Sequence, residues 1–304
     1  MLRQTYRDFE VILLDDCSTD ESRSILSEYA GDPRVRFEFN EKNSGSPFKQ
    51  WNKGVALASG EYGWIAESDD YADERLLERL VAVLDHEPRV SFAYCRSMRV
   101  TEDDRQEGFG DSYLDYLDMT RWTEDFCADG REECRSYFVR MNPVPNASAV
   151  VFRKSVYRAV GGADENLRMC GDWKLWGAMA LAGRIAYLGG QPLNYYRCHD
   201  ASVRSKSKRI GLDVEEMLQV IRWILDRVTP TEPVMRKVYV DAAERWVPAV
   251  VTLRIPLRRR LAILKVARTI DPGAMRKVVR ASRAAVRLKF LKHWRLVTQS
   301  RDPK

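Results

Sequence analysis

Short apolar runs alternate with longer amphipathic stretches through residues 9–197. Residues 9–14 (FEVILL) are typical of a buried strand, because β-branched and aromatic residues fill the run and polar residues follow it. Similar runs predict strands at 35–39, 62–66, 90–95, 147–152, 185–188 and 193–197. Stretches at helical spacing predict helices at 21–29, 48–58, 73–86, 155–160 and 172–182. This alternation predicts an α/β fold with a mostly parallel sheet flanked by helices.

Two parts of the chain depart from this alternation. Residues 97–140 are polar, charged and aromatic without a clean period, so the elements of this segment are hard to predict from the sequence. From about residue 210 the spacing is helical. Prolines interrupt it at five positions: Pro230, Pro233, Pro248, Pro256 and Pro272. We therefore expect an α/β domain over residues 1–209 and a helical region over residues 210–304.

Charge is distributed unevenly along the chain. Residues 254–304 contain 16 Lys and Arg against two acidic residues, which is a net charge of +14. Because the whole chain carries +6, residues 1–253 carry −8. Such a basic region predicts a negatively charged partner, and anionic lipid headgroups and nucleic acid both fit that description.

Composition excludes several classes of protein. The six cysteines form no C-x-x-C pair and match no zinc-ribbon spacing, so a zinc-binding domain is not expected. No run of 18 apolar residues occurs, so the sequence predicts no membrane-spanning helix. We expect reduced thiols in a cytoplasmic protein, with peripheral contact at the inner face of the cell membrane through residues 254–304. A solvated helical bundle is the alternative for this basic region.

Two clusters of acidic residues directly follow predicted strands. Asp15 and Asp16 follow the first strand, and Glu67, Asp69 and Asp70 follow the third. Ligands of α/β sheets bind at the carboxyl ends of the strands. Three acids within four residues repel one another, and a divalent cation such as Mg²⁺ or Mn²⁺ would relieve that repulsion. The alternative is a solvated acidic turn that caps the helix beginning at Asp73.

Six short motifs follow one another in a recognisable order. They are residues 4–12 (QTYRDFEVI), 13–20 (LLDDCSTD), 43–45 (NSG), 60–70 (GEYGWIAESDD), 161–165 (GGADE) and 171–176 (GDWKLW). In order and spacing they resemble family 2 glycosyltransferases over about residues 3–205. The resemblance implies a GT-A fold, a nucleotide-diphosphate sugar donor with a UDP-sugar favoured, and inversion at the anomeric carbon.

The resemblance assigns the acidic residues to the donor and to a metal. Glu67 stands where the family usually has the first Asp of its D-x-D element, and Asp69 is the best metal ligand for Mn²⁺ or Mg²⁺. Asp70 and His199 are implied as further metal ligands, although a lone histidine is as often structural. The residues implied to contact the nucleotide donor are Asp15, Asp16, Asn43, Glu67, Ser68, Asp69 and Arg197. For Asp15 and Asp16 the alternative is an acid pair favoured by a helix dipole.

The same comparison implies the chemistry of transfer. Asp172 matches the general base, which takes the proton of the acceptor hydroxyl. An acid in the first turn of a helix is the alternative for this residue. Asp164, Glu165 and Trp173 are implied on the acceptor side. For Asp164 and Glu165 the alternative is a turn after the two glycines, and for the neighbouring Trp176 it is core packing on a helix face.

A polar set of Asn142, Asn146 and Ser148 precedes the fifth predicted strand. These side chains suit acceptor hydroxyls, and local hydrogen bonds in a turn are the alternative.

The resemblance also exposes a difference. Family members usually begin with a further strand ahead of the segment that here contains residues 4–6, whereas this chain starts at Met1. Without that strand we expect weak or absent nucleotide binding, because ladder groups and apolar faces would be exposed.

The sequence therefore predicts an inverting glycosyltransferase acting on a glycan or lipid-linked acceptor, in cell-surface polysaccharide synthesis. One alternative is a truncated, non-catalytic remnant of that fold. The other is a nucleic-acid-binding protein that uses the basic region. We expect no nucleic acid, because this region has neither Gly-Arg repeats nor a DNA-binding motif.

Overall fold

The computed structural model describes residues 1–109, 112–197, 211–251 and 255–282. The chain divides into two compact units, Met1–Asp200 and Ala201–Lys304. All described strands lie in the first unit, and the described part of the second is helical. The predicted domain boundary between residues 209 and 210 lies outside the described residues and stays a prediction.

The described strands are β1 Val11–Asp15, β2 Val35–Phe39, β3 Tyr62–Trp64, β4 Tyr71–Ala72, β5 Val90–Cys95, β6 Ser97–Val100, β7 Gln106–Phe109, β8 Phe126–Asp129, β9 Val150–Arg153, β10 Arg184–Leu188 and β11 Asn194–Arg197. The helices are α1 Ser22–Ser27, α2 Pro47–Leu57, α3 Leu76–His86, α4 Gly130–Glu133, α5 Lys154–Ala159, α6 Gly171–Leu181, α7 Leu212–Leu225, α8 Glu232–Val251 and α9 Leu257–Ile270. Every strand and helix predicted within residues 9–197 is present, with ends that shift by a few residues.

Three sheets build the first unit. β1 and β2 form a parallel pair that is in register from Val11 opposite Val35 to Asp15 opposite Phe39. The central sheet has the order β3-β9-β5-β10-β8, and a smaller sheet has the order β4-β11-β6-β7. The α/β class with flanking helices is thus confirmed.

The expectation of a mostly parallel sheet is corrected by the strand directions. β5 and β10 run parallel, but β9 runs antiparallel to both β3 and β5, and β8 runs antiparallel to β10. The reason lies in the connections. β9 is reached from β8 through α4 and residues 134–149, and β8 is not its neighbour in the sheet, so this connection does not require β9 to pair in parallel.

Helices cover both faces of the central sheet. On one face α3 packs its apolar side, including Leu76, Leu80 and Leu84, against β5 and β9. On the other face Trp176 of α6 is fully buried, with its ring centroid 5.6 Å from that of Phe92. Each fully buried side chain of this size stabilises the fold by roughly 1.5–3 kcal/mol, so this two-sided core fixes the sheet.

Polar contacts organise the segment that showed no clean period. Arg121 forms an ion pair with the buried Glu133, and Trp122 donates a 2.7 Å hydrogen bond from Nε1 to the hydroxyl of Tyr94. A π-helical turn, Cys134–Phe138, follows α4. Long-range hydrogen bonds of this kind leave no periodic signal in the sequence, which explains why this segment gave no prediction.

The described part of the second unit consists of helices with buried apolar faces, including Leu218, Trp246 and Ile263. Most of the prolines lie at helix ends, but Pro248 lies inside α8, so its predicted break is wrong. Pro248 is close to the C-terminal end of α8, where the missing N–H removes one intrahelical bond. None of the helices in the described ranges is both long and apolar enough to cross a lipid bilayer.

Candidate active site

The acidic segment from Glu67 to Asp70 connects β3 to β4. One carboxylate oxygen from each of Glu67, Asp69 and Asp70 lies within 4.8 Å of the others. Loss of hydration raises the pKa of Glu67 to about 8, and repulsion from Asp70, Asp69 and Asp172 adds to the rise. The segment thus gathers three carboxyl groups whose negative charges repel one another.

Asp70 ties the acidic segment to two distant strands. Its Oδ2 accepts 2.7 Å hydrogen bonds from Asn146 Nδ2 and from Ser148 Oγ, and its Oδ1 accepts a 3.1 Å bond from the backbone N–H of Arg197. Burial nevertheless raises the pKa of this carboxyl above its ordinary value. These contacts fix the segment against the start of β9 and the end of β11.

The predicted polar set therefore serves the acidic segment. Ser148 Oγ also accepts a 3.0 Å hydrogen bond from the backbone N–H of Glu67. Asn146 Oδ1 accepts a 2.8 Å bond from Asn194 Nδ2, and Asn194 is fully buried. Ser148 therefore bonds twice to the acidic segment, and Asn146 connects that segment to the buried Asn194. The sequence alone did not suggest these roles.

Arg197 directs its guanidinium at protein groups. Its Nε donates to the carbonyl of Asp69 at 3.2 Å, and its two terminal nitrogens donate to the carbonyls of Thr101 and Glu102 and to the carboxylate of Asp104. The predicted contact of Arg197 with donor phosphates stays a prediction. The observed contacts hold the acidic segment against the turn between β6 and β7.

Asp172 lies in the first turn of α6, and its carboxylate accepts a hydrogen bond from a residue outside that helix. Its Oδ2 accepts a 3.0 Å hydrogen bond from Asn142 Nδ2. The amide of Asn142 is oriented unambiguously, because its Oδ1 accepts a 3.1 Å bond from the backbone N–H of Val144. The charge of Asp172 contributes to the raised pKa of Glu67, so the structure brings the predicted base to the acidic segment.

The two tryptophans of α6 are both buried. Trp173 is 4% exposed and donates from Nε1 to the carbonyl of Phe138 at 3.0 Å, which fixes the same helical turn as Asp172. Trp176 is part of the core. Little ring surface of either residue is available to a ligand, and the acceptor role predicted for Trp173 stays a prediction.

Asp15 and Asp16 occupy the end of β1 and are held by hydrogen bonds. Burial alone would raise the pKa of Asp15, but hydrogen bonds from Ser18 and Arg23 keep it below its ordinary value. Asp16 is held likewise: burial opposes ionisation, and Ser44 is its main donor through both backbone N–H and hydroxyl.

Polar side chains from the end of β2 into α2 donate hydrogen bonds to Asp16. Asn40 and Gln50 each donate a 2.7 Å hydrogen bond to Oδ1 of Asp16. Asn43 Nδ2 donates to the backbone carbonyl of Asp16 at 2.8 Å. Sequence reasoning identified Asn43 but missed Asn40 and Gln50. The position of Asn40 directly after a predicted strand was the one available signal.

Asp164 and Glu165 hold a glycine turn. Gly161 and Gly162 have φ values of +89° and +73°, which glycine adopts most readily. Asp164 accepts from Lys174, and Glu165 Oε1 accepts a 2.9 Å hydrogen bond from Asn52. The turn that was the alternative for these acids is therefore present, and their acceptor role stays a prediction.

Two predicted site residues show no described polar contact. Ser68 is exposed within the acidic segment. His199, the predicted third metal ligand, lies outside the described residues.

Comparison with known proteins gives a family match for the N-terminal part of the chain. Residues 1–141 match the sequence model of the family described as Glycosyl transferase family 2. Residues 1–141 are therefore similar to glycosyl transferase family 2. This family 2 segment contains both acidic clusters, together with the polar residues that hold Asp16. Asp172, Ser148 and Arg197 lie beyond it.

Curated relatives of the family 2 segment include bacterial glycosyltransferases. The chain is 41% identical over 81 residues to Glycosyltransferase GlyG of Streptococcus pneumoniae, which covers 26% of this chain and 27% of GlyG. It is 36% identical over 78 residues to Poly(ribitol-phosphate) beta-N-acetylglucosaminyltransferase TarS of Staphylococcus aureus, which covers 26% of this chain and 14% of TarS. The chain thus matches less than a third of the length of either relative.

Solved structures show that the likeness in fold extends well beyond the family 2 segment. TarS residues 1–349 in complex with UDP-GlcNAc superpose with a TM-score of 0.65 at 18% identity, covering 92% of this chain and 83% of that one. The mannosyltransferase PcManGT from Pyrobaculum calidifontis, in complex with GDP-Man and Mn²⁺, gives a TM-score of 0.54 at 16% identity, covering 96% and 76%. The fold is therefore that of the GT-A glycosyltransferases.

The acidic segment suits a divalent cation of the hard class. All of its donors are carboxylate oxygens, which Mg²⁺ and Mn²⁺ prefer over nitrogen or sulfur. Burial and the neighbouring carboxylates raise the pKa of Glu67, and a bound cation would favour the ionised form of this carboxyl. Asp70 already accepts three hydrogen bonds from protein groups, which occupy part of its coordinating capacity.

Proposed function

We propose that the protein is an inverting glycosyltransferase that moves a sugar from a nucleotide-diphosphate sugar to a hydroxyl of its acceptor. One observation carries the proposal: the carboxylates of Glu67, Asp69 and Asp70 converge within 4.8 Å, and the charge of Asp172 acts on the same group. A family 2 chain with a metal-suited acidic segment beside an independently held carboxylate has the parts that direct displacement needs.

The donor site is proposed at the carboxyl ends of β1 and β3. Asp15, Asp16 and Asn43 would contact the nucleoside, and the acidic segment with Ser68 would face the diphosphate. A UDP-sugar is the favoured donor, because TarS binds UDP-GlcNAc and UDP in its solved structures. Mn²⁺ or Mg²⁺ held by Asp69 and Glu67, with Asp70 and His199 as further ligands, would offset the charge of the leaving diphosphate.

Asp172 is the proposed general base. In direct displacement the acceptor oxygen forms a bond to the anomeric carbon as the bond to the nucleotide diphosphate breaks, and the carboxylate of Asp172 takes the acceptor proton. The Asn142 amide, locked by Val144, fixes one oxygen of that carboxylate. A base fixed in one orientation loses less entropy in reaching the transition state.

For Asp70 and Arg197 we propose a positioning role beside the predicted roles in metal and donor binding. Asp70 and Arg197 make their described hydrogen bonds to the protein, which supports roles in positioning the acidic segment. Asp164 and Glu165 hold a turn, and Trp173 stabilises the first turn of α6. We propose that these acceptor-side residues act by shaping the site.

The acceptor is proposed to be a glycan or a lipid-linked glycan of a cell-surface polysaccharide. TarS, a relative, is a glycosyltransferase of poly(ribitol phosphate) by its name. Cytoplasmic location and peripheral contact of residues 254–304 with a membrane are the predictions that accompany a lipid-linked acceptor, and no nucleic acid is expected.

A thermal-shift series tests the donor and metal sites. UDP, GDP, dTDP and CMP are each added with and without Mn²⁺, because a ligand that binds the folded state raises Tm. At a hundred times Kd the expected stabilisation is about 2.7 kcal/mol, or roughly 5–10 °C. Asp69→Asn should abolish the Mn²⁺-dependent part of the shift, and Glu28→Gln, at an exposed acid of the first unit, should retain it. A folded sample that responds to none of the nucleotides would favour the non-catalytic remnant.

A further inference from the structure

One face of α9 combines exposed leucines with basic residues. Leu257 is 64% exposed and Leu261 is 58% exposed, and the two side chains lie four positions apart on the helix, where they are neighbours. Arg258, Lys265 and Arg268 are exposed as well. We call these five residues the cationic stripe.

Helix geometry shows that the stripe is a separate surface from the core-facing side of α9. Residues 257, 261, 265 and 268 recur at spacings of three and four, so they lie on one side of the helix. The buried residues of α9 are Ile263, Ala267 and Ile270, which lie on the other side. The exposed leucines are therefore not the margin of the buried side.

The surroundings of the stripe are strongly positive. Residues 255–282 contain eight Lys and Arg but a single acid, Asp271, which is buried and paired with Lys277. Within the described residues, Arg258, Lys265 and Arg268 form no ion pair. Exposed Met275 and Val279 alternate with exposed Arg276 and Arg280 in the helical segment 274–282 and repeat the same combination.

We propose that the cationic stripe binds the surface of an anionic lipid bilayer, with Leu257 and Leu261 entering the boundary between headgroups and acyl chains. Basic residues around an apolar pair suit this surface: the leucines leave water while the long Arg and Lys side chains extend to the headgroups. This inference goes beyond sugar transfer and stands whether or not the acceptor is lipid-linked.

Other occupants fit the stripe less well. Nucleic acid would satisfy the charges through its phosphates but would leave both leucines in water. A second copy of the chain would oppose two surfaces of the same sign, which is unfavourable in any symmetric contact. The anionic bilayer is the partner that satisfies the charges and the leucines together.

Flotation of the full chain with vesicles tests the proposal. Vesicles of phosphatidylcholine alone are compared with vesicles that also contain phosphatidylglycerol, with no nucleotide present. Binding to the anionic vesicles alone is expected, with about a fivefold loss for each basic residue removed. The double variant Leu257→Ser/Leu261→Ser keeps every charge and should lose binding about tenfold.

The control is Met119→Ser, which removes a side chain that is 78% exposed in the first unit, and it should bind as the parent does. Thermal melting shows that each variant is folded, and the nucleotide shift reports the donor site separately. The proposal is overturned if the parent does not float, or if the leucine variant floats as well as the parent. If salt abolishes flotation of the parent while the leucine variant floats as the parent does, the stripe binds a partner by charge alone. Competition by duplex DNA would lead to the same conclusion.

Discussion

The hydroxyl of Ser148 offers a sharp test of how the acidic segment is held. It donates to the Asp70 carboxylate at 2.7 Å and accepts from the backbone N–H of Glu67 at 3.0 Å, and Ser148 is only 2% exposed. Ser148→Ala removes both bonds and leaves a carboxylate and a backbone N–H short of a partner. A bond to a charged group contributes about 1.5–3 kcal/mol and a neutral one about 0.5–1.5 kcal/mol, so we expect a loss of roughly 2–4 kcal/mol.

Ser91→Ala is the matched control. Ser91 is 1% exposed and lies in β5 of the central sheet, but its hydroxyl has no hydrogen-bond partner among the described residues. Removing an unsatisfied hydroxyl should leave the stability unchanged or increase it. Urea unfolding followed by circular dichroism gives both free energies of unfolding under one set of conditions.

Ser148→Ala and Ser91→Ala should also differ in nucleotide binding. If Ser148 positions the metal-suited carboxylates, the Mn²⁺-dependent nucleotide shift should shrink in Ser148→Ala and persist in Ser91→Ala. Equal losses of stability in the two variants would refute the reasoning, because the substitutions differ mainly in the hydrogen bonds that they remove.

Three further predictions use the same protein. Asn142→Ala should keep the rise in Tm with UDP and Mn²⁺ but lower kcat about 10- to 100-fold, as measured by release of UDP from UDP-GlcNAc. An unchanged kcat would show that Asn142 does not position the base Asp172. Gly63→Ala should cost about 1–3 kcal/mol in urea unfolding, since a Cβ there would lie 2.5 Å from Phe152 Cζ, whereas Gly31→Ala meets nothing within 4 Å and should not. The folded-state pKa of Glu67, about 8, is above its unfolded value, so ionised Glu67 opposes folding and metal-free stability should fall as pH rises from about 4.5 to about 8. Glu67→Gln should therefore raise Tm most at the upper end of that range, and a pH-independent effect would contradict the assignment.

The site divides into residues that face the chemistry and residues that hold them. Asp69 and Asp172 are candidates for the first group, whereas Asp70, Asn146 and Arg197 make their described hydrogen bonds to the protein. Substitution of the second group should therefore reduce stability and activity together. Asp69→Asn should weaken Mn²⁺ binding.

The sequence by itself determined where the strands and helices form and which acidic residues follow the strands. Apolar runs located the strands because burial of a strand depends on its own residues. The same runs placed Asp15 and Glu67 at the edge of the sheet where ligands bind. The resemblance in motif order then identified the family that the comparison of residues 1–141 confirmed.

The tertiary structure alone decided strand direction and the partners of the acidic residues. β9 runs antiparallel between β3 and β5 because of how the chain returns to the sheet, and no local pattern encodes that return. Asp70 meets Asn146, Ser148 and Arg197, which are 76, 78 and 127 positions away along the chain. Periodicity indicates which face of a helix or strand is buried. It carries no information about which distant polar group will contact a given acidic residue. For that reason the sequence predicted where the carboxylates would gather, and only the folded chain showed what holds them there.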